Sequence, residues 1–360
     1  MTRGRIWTGT KVLVTGGAGF IGGHLVDQLL KRGAVITIAD NLSKSDEKHV
    51  RHVFAKQGLV LRPLTDDIFG GDPHRLMVRD LTDPHQVAEV VRGQEVIFHL
   101  AATVGGRGYI ESHPADCCQN MATTEILMRQ ALRAGVAHVH YASSACVYPV
   151  ALQARHDSGY LLKEADAFRD GWANCDKEYG WTKFMGEMIL QAYHGQYGLR
   201  GSVCRYVTVY GPWEDDSHAI IALIRRAAER EDPYVVWGSG EQDRDFTYVD
   251  DIVEGSIRAA ELVEDGTPIN LGTSRRYKIK DVAEMIFALM GWRPQAVRFD
   301  TTKPEGVASR ALDVSRAREL LGWEPRVELA EGLRRTIQWC AGVRPSAEPL
   351  PISAWRAGAP

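Results

Sequence analysis

The stretch Thr15-Gly16-Gly17-Ala18-Gly19-Phe20-Ile21-Gly22 constrains the fold of this chain most, because of what surrounds it. It follows the apolar run Lys11-Val12-Leu13-Val14 and opens an amphipathic segment, Phe20 to Arg32. A strand that turns sharply into a helix, with its backbone close to a pyrophosphate, needs small residues, here Gly16, Gly19 and Gly22. The helix start at Phe20 and Ile21 then offers free N–H donors to the anion. A second apolar strand, Val35 to Ala39, ends at Asp40, roughly 20 residues past the turn, where a carboxylate accepts hydrogen bonds from an adenosine ribose. That carboxylate would repel a 2′-phosphate. The residues after it, Asn41-Leu42-Ser43, bring no arginine and Lys44 is the nearest cation, so NAD is favoured over NADP.

From Lys11 to about Gly211, β-branched runs alternate with amphipathic helices, which predicts an α/β fold with a Rossmann-type, doubly wound parallel sheet. After Val35 to Asp40 the expected strands are Leu76 to Asp80, Glu95 to Ala101, Val136 to Ser143 and Gly201 to Tyr210. Their near-continuous apolar character fits strands covered on both faces. Gly58 to Pro73 reads as a long loop of mixed polarity. Two long helices are expected, at about Pro114 to Ala134 and Tyr179 to Tyr197. Beyond Pro212 the units shorten: a helix from about His218 to Glu231, a strand Tyr234 to Trp237, a helix Asp250 to Glu264 and a strand Pro268 to Leu271. The helices Lys280 to Met290, Ser315 to Leu321 and Leu329 to Cys340 follow. The pattern suggests a dinucleotide domain of residues 1–210 and 247–272, interwoven with a smaller α/β substrate domain of 211–246 and 273–342. The Pro- and Ala-rich tail, 343–360, has little to bury and is expected to be disordered.

With 360 residues, 44% of them hydrophobic, the chain can bury a large core. A net charge of −3 and scattered cations provide no electrostatic ground for a nucleic-acid or membrane partner, and the expected ligands are small molecules. No stretch approaches ~20 apolar residues, and Met1 to Arg5 lack a signal-peptide core, so the cytoplasm is the expected location. The six cysteines show no C-x-x-C pair and no histidine at zinc-like spacing, which predicts free thiols, a reducing compartment and no metal.

Tyr179 and Lys183 stand four apart on one face of a predicted helix. An ammonium beside a phenol favours phenolate, so the tyrosine can take a hydroxyl proton near neutral pH while hydride leaves the same carbon. At the end of the fifth strand, Tyr141-Ala142-Ser143-Ser144-Ala145-Cys146 runs to the carboxyl edge of the sheet, where such folds bind ligands. There Ser144 can hydrogen-bond the oxygen that changes between alcohol and ketone, and Cys146 would point into the same cleft.

These residues resemble the extended short-chain dehydrogenase/reductases that act on nucleotide sugars, the NAD-dependent epimerase/dehydratase family, over about Lys11 to Trp339. The matching motifs are Thr15 to Gly22, Asp80-Leu81 for the adenine, His99-Leu100-Ala101-Ala102, the set Ser144, Tyr179 and Lys183, and Tyr210-Gly211-Pro212. Within the family the chain looks most like the GDP-mannose 3,5-epimerases, through Gly105-Gly106-Arg107-Gly108, Ser143 to Pro149, Leu162 to Asp166 and Pro304 to Val307. The resemblance implies a redox-neutral epimerase of a nucleotide-activated hexose that passes through a 4-ketone. Hydrogens at C3 and C5, next to that ketone, become acidic enough for Cys146 to act as base or acid. A thiol's ordinary pKa near ~8.5 is close enough to neutrality for modest positive surroundings to suffice. Arg244 and Arg310 match positions that grip the substrate diphosphate, where a guanidinium binds bidentately. Gly105, Gly106, Arg107 and Ser144 are also expected at the substrate. Related enzymes pair through two long helices, which implies a homodimer.

Two departures bear on the reaction. The 3,5-epimerases carry a lysine and the fucose synthases a histidine shortly after Tyr-Gly-Pro, whereas this chain reads Trp213-Glu214-Asp215-Asp216-Ser217-His218, leaving His218 as the candidate second acid/base. The family's usual asparagine before Val-Tyr-Gly-Pro is Thr208, which alters a sugar or diphosphate contact. The nearest alternative is a nucleotide-sugar 4-epimerase using only Ser144, Tyr179 and Lys183. A 4,6-dehydratase, a reductase and a non-catalytic dinucleotide-binding protein rank after it: a dehydratase would carry an Asp-Glu pair at Ala145-Cys146, Asp40 disfavours the NADPH of a reductase, and a non-catalytic chain commonly loses the Tyr or the Lys.

Overall fold

A computed structural model describes residues 7–45, 47–156, 159–171 and 175–342. The expected disordered tail, 343–360, lies outside them. In chain order come β1 (Lys11–Thr15), α1 (Phe20–Lys31), β2 (Val35–Asp40), α2 (Glu47–Lys56), β3 (Arg62–Pro63), β4 (Ile68–Gly71) and β5 (His74–Val78). Then follow α3 (Pro84–Val91), β6 (Val96–His99), α4 (Arg107–Ser112), α5 (Pro114–Ala134), β7 (His138–Ser144), α6 (Lys177–Tyr197) and β8 (Gly201–Tyr206). With the strand Asp265–Leu271 next to β8, these form one nine-stranded sheet ordered β8-β7-β6-β1-β2-β5-β4-β3. Strand order reverses between β1 and β6, both parallel to their neighbours, which opens a crevice at the carboxyl ends of β1, β2, β6 and β7.

Burial explains the central strands. Val12, Leu13, Val14, Ile36, Ile38, Val96, Ile97 and Phe98 are fully enclosed, as strands sandwiched between helix layers require. The ends of β1 and β6 are tied by His99, whose Nδ1 lies 2.8 Å from Thr15 Oγ1 and whose Nε2 lies 3.2 Å from Thr124 Oγ1 on α5. Burial pulls this imidazole down to about 3, so it is neutral and bridges two hydroxyls.

Three expectations are corrected. Gly58 to Pro73 is not a plain loop, because β3 and β4 form an antiparallel hairpin on the edge of the sheet beside β5. Gly201 to Tyr210 is not one strand. The chain leaves the large sheet after Tyr206, and Val209–Tyr210 pairs instead with Thr247–Tyr248. The helix expected from His218 to Glu231 is α7 (Ala219–Ala228), with His218 as its N-cap.

The remaining strands form small sheets beyond the carboxyl edge: Tyr234–Trp237 with Val297–Asp300, and Asp243–Arg244 between Tyr277–Lys278 and Ser309–Arg310. The parallel register puts Arg244 directly opposite Arg310. No helix among the described residues is long and apolar enough to cross a membrane.

Candidate active site

A single cavity of about 1550 Å³ runs along the crevice and out between the large sheet and the small ones. Every residue expected at cofactor, substrate or chemistry lines it, from Gly16 through Asp40, Asn41, Asp80, Leu81, Leu100, Ala101 and Ala102 to His218, Arg244 and Arg310.

At the dinucleotide end the backbone leaves no room for side chains. Gly16 sits at φ +71°, and a Cβ there would lie 2.8 Å from the Ala101 nitrogen; one on Gly22 would lie 2.1 Å from the Gly16 carbonyl oxygen. α1 has no side-chain cap at Gly19, and its first backbone bond runs from Gly23 N–H to the Gly19 carbonyl at 2.9 Å. The amides of Phe20, Ile21 and Gly22 therefore have no intrahelical acceptor, which suits an anion. Asp40 closes β2 with its carboxylate accepting from Ala18 N–H at 3.1 Å, Leu42 N–H at 2.9 Å and Ser45 Oγ at 3.2 Å. Burial raises its pKa and these bonds oppose the rise. A carboxylate offers about four acceptor sites, so one remains for a ribose hydroxyl.

Midway, β7 delivers Ser144, whose Oγ accepts from Cys146 N–H at 3.1 Å and starts a short 3₁₀ turn, Ala145–Val147. Tyr179 and Lys183 enter from the first two turns of α6, both buried. The Tyr179 phenol lies beside the Ser144 hydroxyl, which favours its charged form, and Lys183 donates to the Ala142 carbonyl at 2.9 Å. The expected pull of the phenol toward neutrality is opposed by burial. Burial drives it well above its ordinary value, and the ammonium sits 5.8 Å from the ring centroid. Burial also takes Lys183 down to about 8, against the attraction of Cys146 and Glu187.

Beyond Tyr179 the site is cationic. Arg310 donates to Gln153 Oε1 at 2.5 Å, to Cys146 Sγ at 3.4 Å and to Asp176 Oδ2 at 2.7 Å. Arg107, in the first turn of α4, donates to both oxygens of Asp176 at 2.8 and 2.9 Å. Arg244 is held by the Glu305 and Asp243 carbonyls, and burial, then Arg310, bring it down to about 10. Gly106 must be glycine, since a Cβ would lie 1.9 Å from the Ser217 carbonyl oxygen. Thr208 is half-buried on the cavity wall. His218 has Nδ1 3.6 Å from Asp215 and 3.7 Å from Glu214. Burial opposes its charged form, but the two carboxylates outweigh it and raise its pKa. Glu214, which no motif marks, is enclosed with Oε2 lacking a hydrogen-bond partner, and burial pushes it up to about 8.

All six cysteines are free thiols. Cys117, Cys175 and Cys204 are buried, Cys146 is half-buried, and Cys118 and Cys340 are exposed. The described residues contain no cluster of His, Cys, Asp or Glu suited to a metal.

The chain is similar in sequence and fold to known proteins. The family model for the NAD dependent epimerase/dehydratase family matches residues 12–272. GDP-mannose 3,5-epimerase of Arabidopsis thaliana is 30% identical over 334 residues, covering 91% of this chain and 81% of that protein. Among solved structures, UDP-glucose 4-epimerase of Thermotoga maritima with UDP-glucose superposes with a TM-score of 0.78 at 26% identity, covering 92% and 98% of the two chains. MoeE5 in complex with UDP-glucuronic acid and NAD gives 0.74 at 30% identity, covering 92% and 99%. The chain belongs to the NAD dependent epimerase/dehydratase family. It is an NAD-dependent enzyme of the nucleotide-sugar epimerase/dehydratase class.

The Asp40→Ala variant is expected to bind NAD about 10–100-fold more weakly, the range for a lost hydrogen bond to a charged group, with no gain for NADP. Titration of both cofactors by protein fluorescence checks this; tighter NAD binding would remove Asp40 from the ribose.

Proposed function

We propose that the chain is a nucleotide-sugar epimerase that works through a transient 4-ketone, with Cys146 as acid/base at C3 or C5 and GDP-mannose as the first substrate to try. The observation that carries this reading is the thiol of Cys146 in the same cavity as Ser144, Tyr179 and Lys183, with an Arg310 guanidinium on its sulfur. Residues 1–210 and 247–272 form the cofactor domain in this reading. Residues 211–246 and 273–342 form the substrate domain, with Arg244, Arg310 and Arg107 serving the diphosphate and Gly105, Gly106 and Thr208 the sugar side.

The glycine turn, Asp40, Asn41, Asp80, Leu81 and Leu100 to Ala102 hold NAD, which when bound supplies a reversible hydride acceptor and a positive charge of its own. Ser144 and Tyr179 hydrogen-bond the hydroxyl oxygen that becomes the ketone, and Tyr179 takes its proton while Lys183 keeps a cation behind the phenol. The carbonyl acidifies the neighbouring C–H. Cys146 removes that proton from one face, His218 returns one to the other, and the centre inverts.

A 4-epimerase remains the second reading, favoured by the Trp213 to His218 segment, which lacks the lysine of the 3,5-epimerases, and by the likeness to a UDP-glucose 4-epimerase. Incubation with GDP-mannose and UDP-hexoses in deuterated water, read by NMR, separates the two. Deuterium at C3 or C5 that disappears in Cys146→Ala is expected; inversion at C4 without label would replace the first reading by the second.

Association as a homodimer is part of the proposal. Trp181, Met185 and Met188 on α6 and Met121 on α5 are exposed large apolar residues on two long helices packed together, a patch suited to a second copy. The free thiols are the ground for placing the protein in the cytoplasm.

A further inference from the structure

No sequence motif marks Asp176, yet it joins Arg107, Arg310 and the Cys146 turn of the proposed sugar site. Its side chain is 2% exposed and bears two guanidiniums: Arg107 on both oxygens and Arg310 on Oδ2 at 2.7 Å. Its N–H donates to the Cys146 carbonyl at 2.8 Å, and it is the N-cap of α6, three residues before Tyr179. The next close contact is equally tight, since a Cβ on Gly180 would lie 2.1 Å from that same Cys146 oxygen. Arg310 in turn reaches Cys146 Sγ, so one carboxylate fixes the cation that touches the thiol while its own backbone fixes the thiol's turn.

The two guanidiniums on Asp176 are not equally partnered. Arg107 has a second carboxylate, Glu111, at 2.6 Å, whereas among the described residues Arg310 pairs with Asp176 alone. A diphosphate entering this end of the cavity therefore competes with Asp176 for the same guanidiniums. We propose that Asp176 is a positioning residue that holds Arg310 on the Cys146 sulfur, aligning the thiol for proton transfer at the cost of some affinity for the substrate's anion. This rests on Cys146 being the acid/base proposed above.

A residue that only supported the fold would lose binding and turnover together when changed. A positioning residue that competes with the anion gives opposite signs. In Asp176→Asn holoenzyme, GDP measured by calorimetry is expected to bind about three- to tenfold more tightly, because a negative charge beside the anion is gone. The kcat for sugar C–H exchange is expected to fall about 10–100-fold, as for a misplaced reacting group. Asp176→Glu, which keeps the charge, should return GDP affinity toward the parent value. Weaker GDP binding in Asp176→Asn, or kcat unchanged, overturns the proposal.

Where Asp176→Asn does not fold, Asp176→Glu replaces it, and Arg310→Gln is compared with the double variant Asp176→Glu/Arg310→Gln. Equal kcat in the two supports action through Arg310, and a further loss in the double variant overturns it. Parent enzyme without exchange at C3 or C5 overturns the cysteine reading itself; Asp176 is then decided on GDP alone, where unchanged or weaker binding rejects it.

Discussion

Turnover by Tyr179→Phe is expected to fall about 10²–10⁴-fold, the contribution of a positioned proton-transfer group, with NAD still bound. The phenol lies beside Ser144, and phenylalanine keeps its packing in the small cluster with Ile110 and Cys117 while removing the oxygen. The pH dependence is set by its neighbour. Lys183, held at about 8 by burial, carries its charge below that pH and loses it above. If the cation supports the tyrosine, kcat/KM falls as pH rises through about 8. In Lys183→Met the residual rate is low and that alkaline limb is gone. Steady-state kinetics on a substrate found by the NMR panel reads both. Retention of turnover within about tenfold in Tyr179→Phe would remove the phenol from the reacting oxygen, and an unchanged limb in Lys183→Met would assign it to another group.

That the phenol needs help is a property of the folded site that local spacing does not carry. A helix face with Tyr179 and Lys183 four apart fixes which side chains meet, but the phenol's protonation depends on how deeply α6, α5 and the Cys146 turn enclose it. The same division runs through the rest of the molecule. Strands β1, β2, β6 and β7 were legible because both faces are buried and the residues are uniformly apolar; the helices Pro114–Ala134, Ser315–Leu321 and Leu329–Cys340 were legible to the residue. Helix α2 is not legible in the sequence because its apolar side, Val50, Val53 and Phe54, is interspersed with Lys48, Arg51 and His52. The β3–β4 hairpin is not legible either, because Arg62 and Pro63 sit exposed on an edge and show no alternation. At the site, residues that belong to motifs were readable one by one. The link Arg107–Asp176–Arg310 was not, since its members lie 69 and 134 positions apart in sequence.

The Glu187–Arg205 pair, one turn beyond Lys183, carries the largest expected effect on stability. Arg205 Nε and Nη2 donate to the two Glu187 oxygens at 2.9 and 2.6 Å, and both residues are 2% exposed. Arg205 also donates to the Tyr148 hydroxyl at 3.1 Å and the Glu164 carbonyl at 2.8 Å, and Ser143 donates to Glu187. The pair thus fastens α6 to β7 and β8 from inside. Removing one partner leaves a guanidinium buried without its counter-charge, so Glu187→Leu is expected to cost about 3–5 kcal/mol, a lower urea midpoint at unchanged slope. The double variant Glu187→Leu/Arg205→Met removes both charges and, where the apolar pair packs, should recover most of that loss, since a buried ion pair replaced by hydrophobic residues is often neutral or stabilising. If the double variant is instead less stable than Glu187→Leu, the stabilisation comes from the Arg205 bonds to Tyr148 and Glu164 rather than from the ion pair.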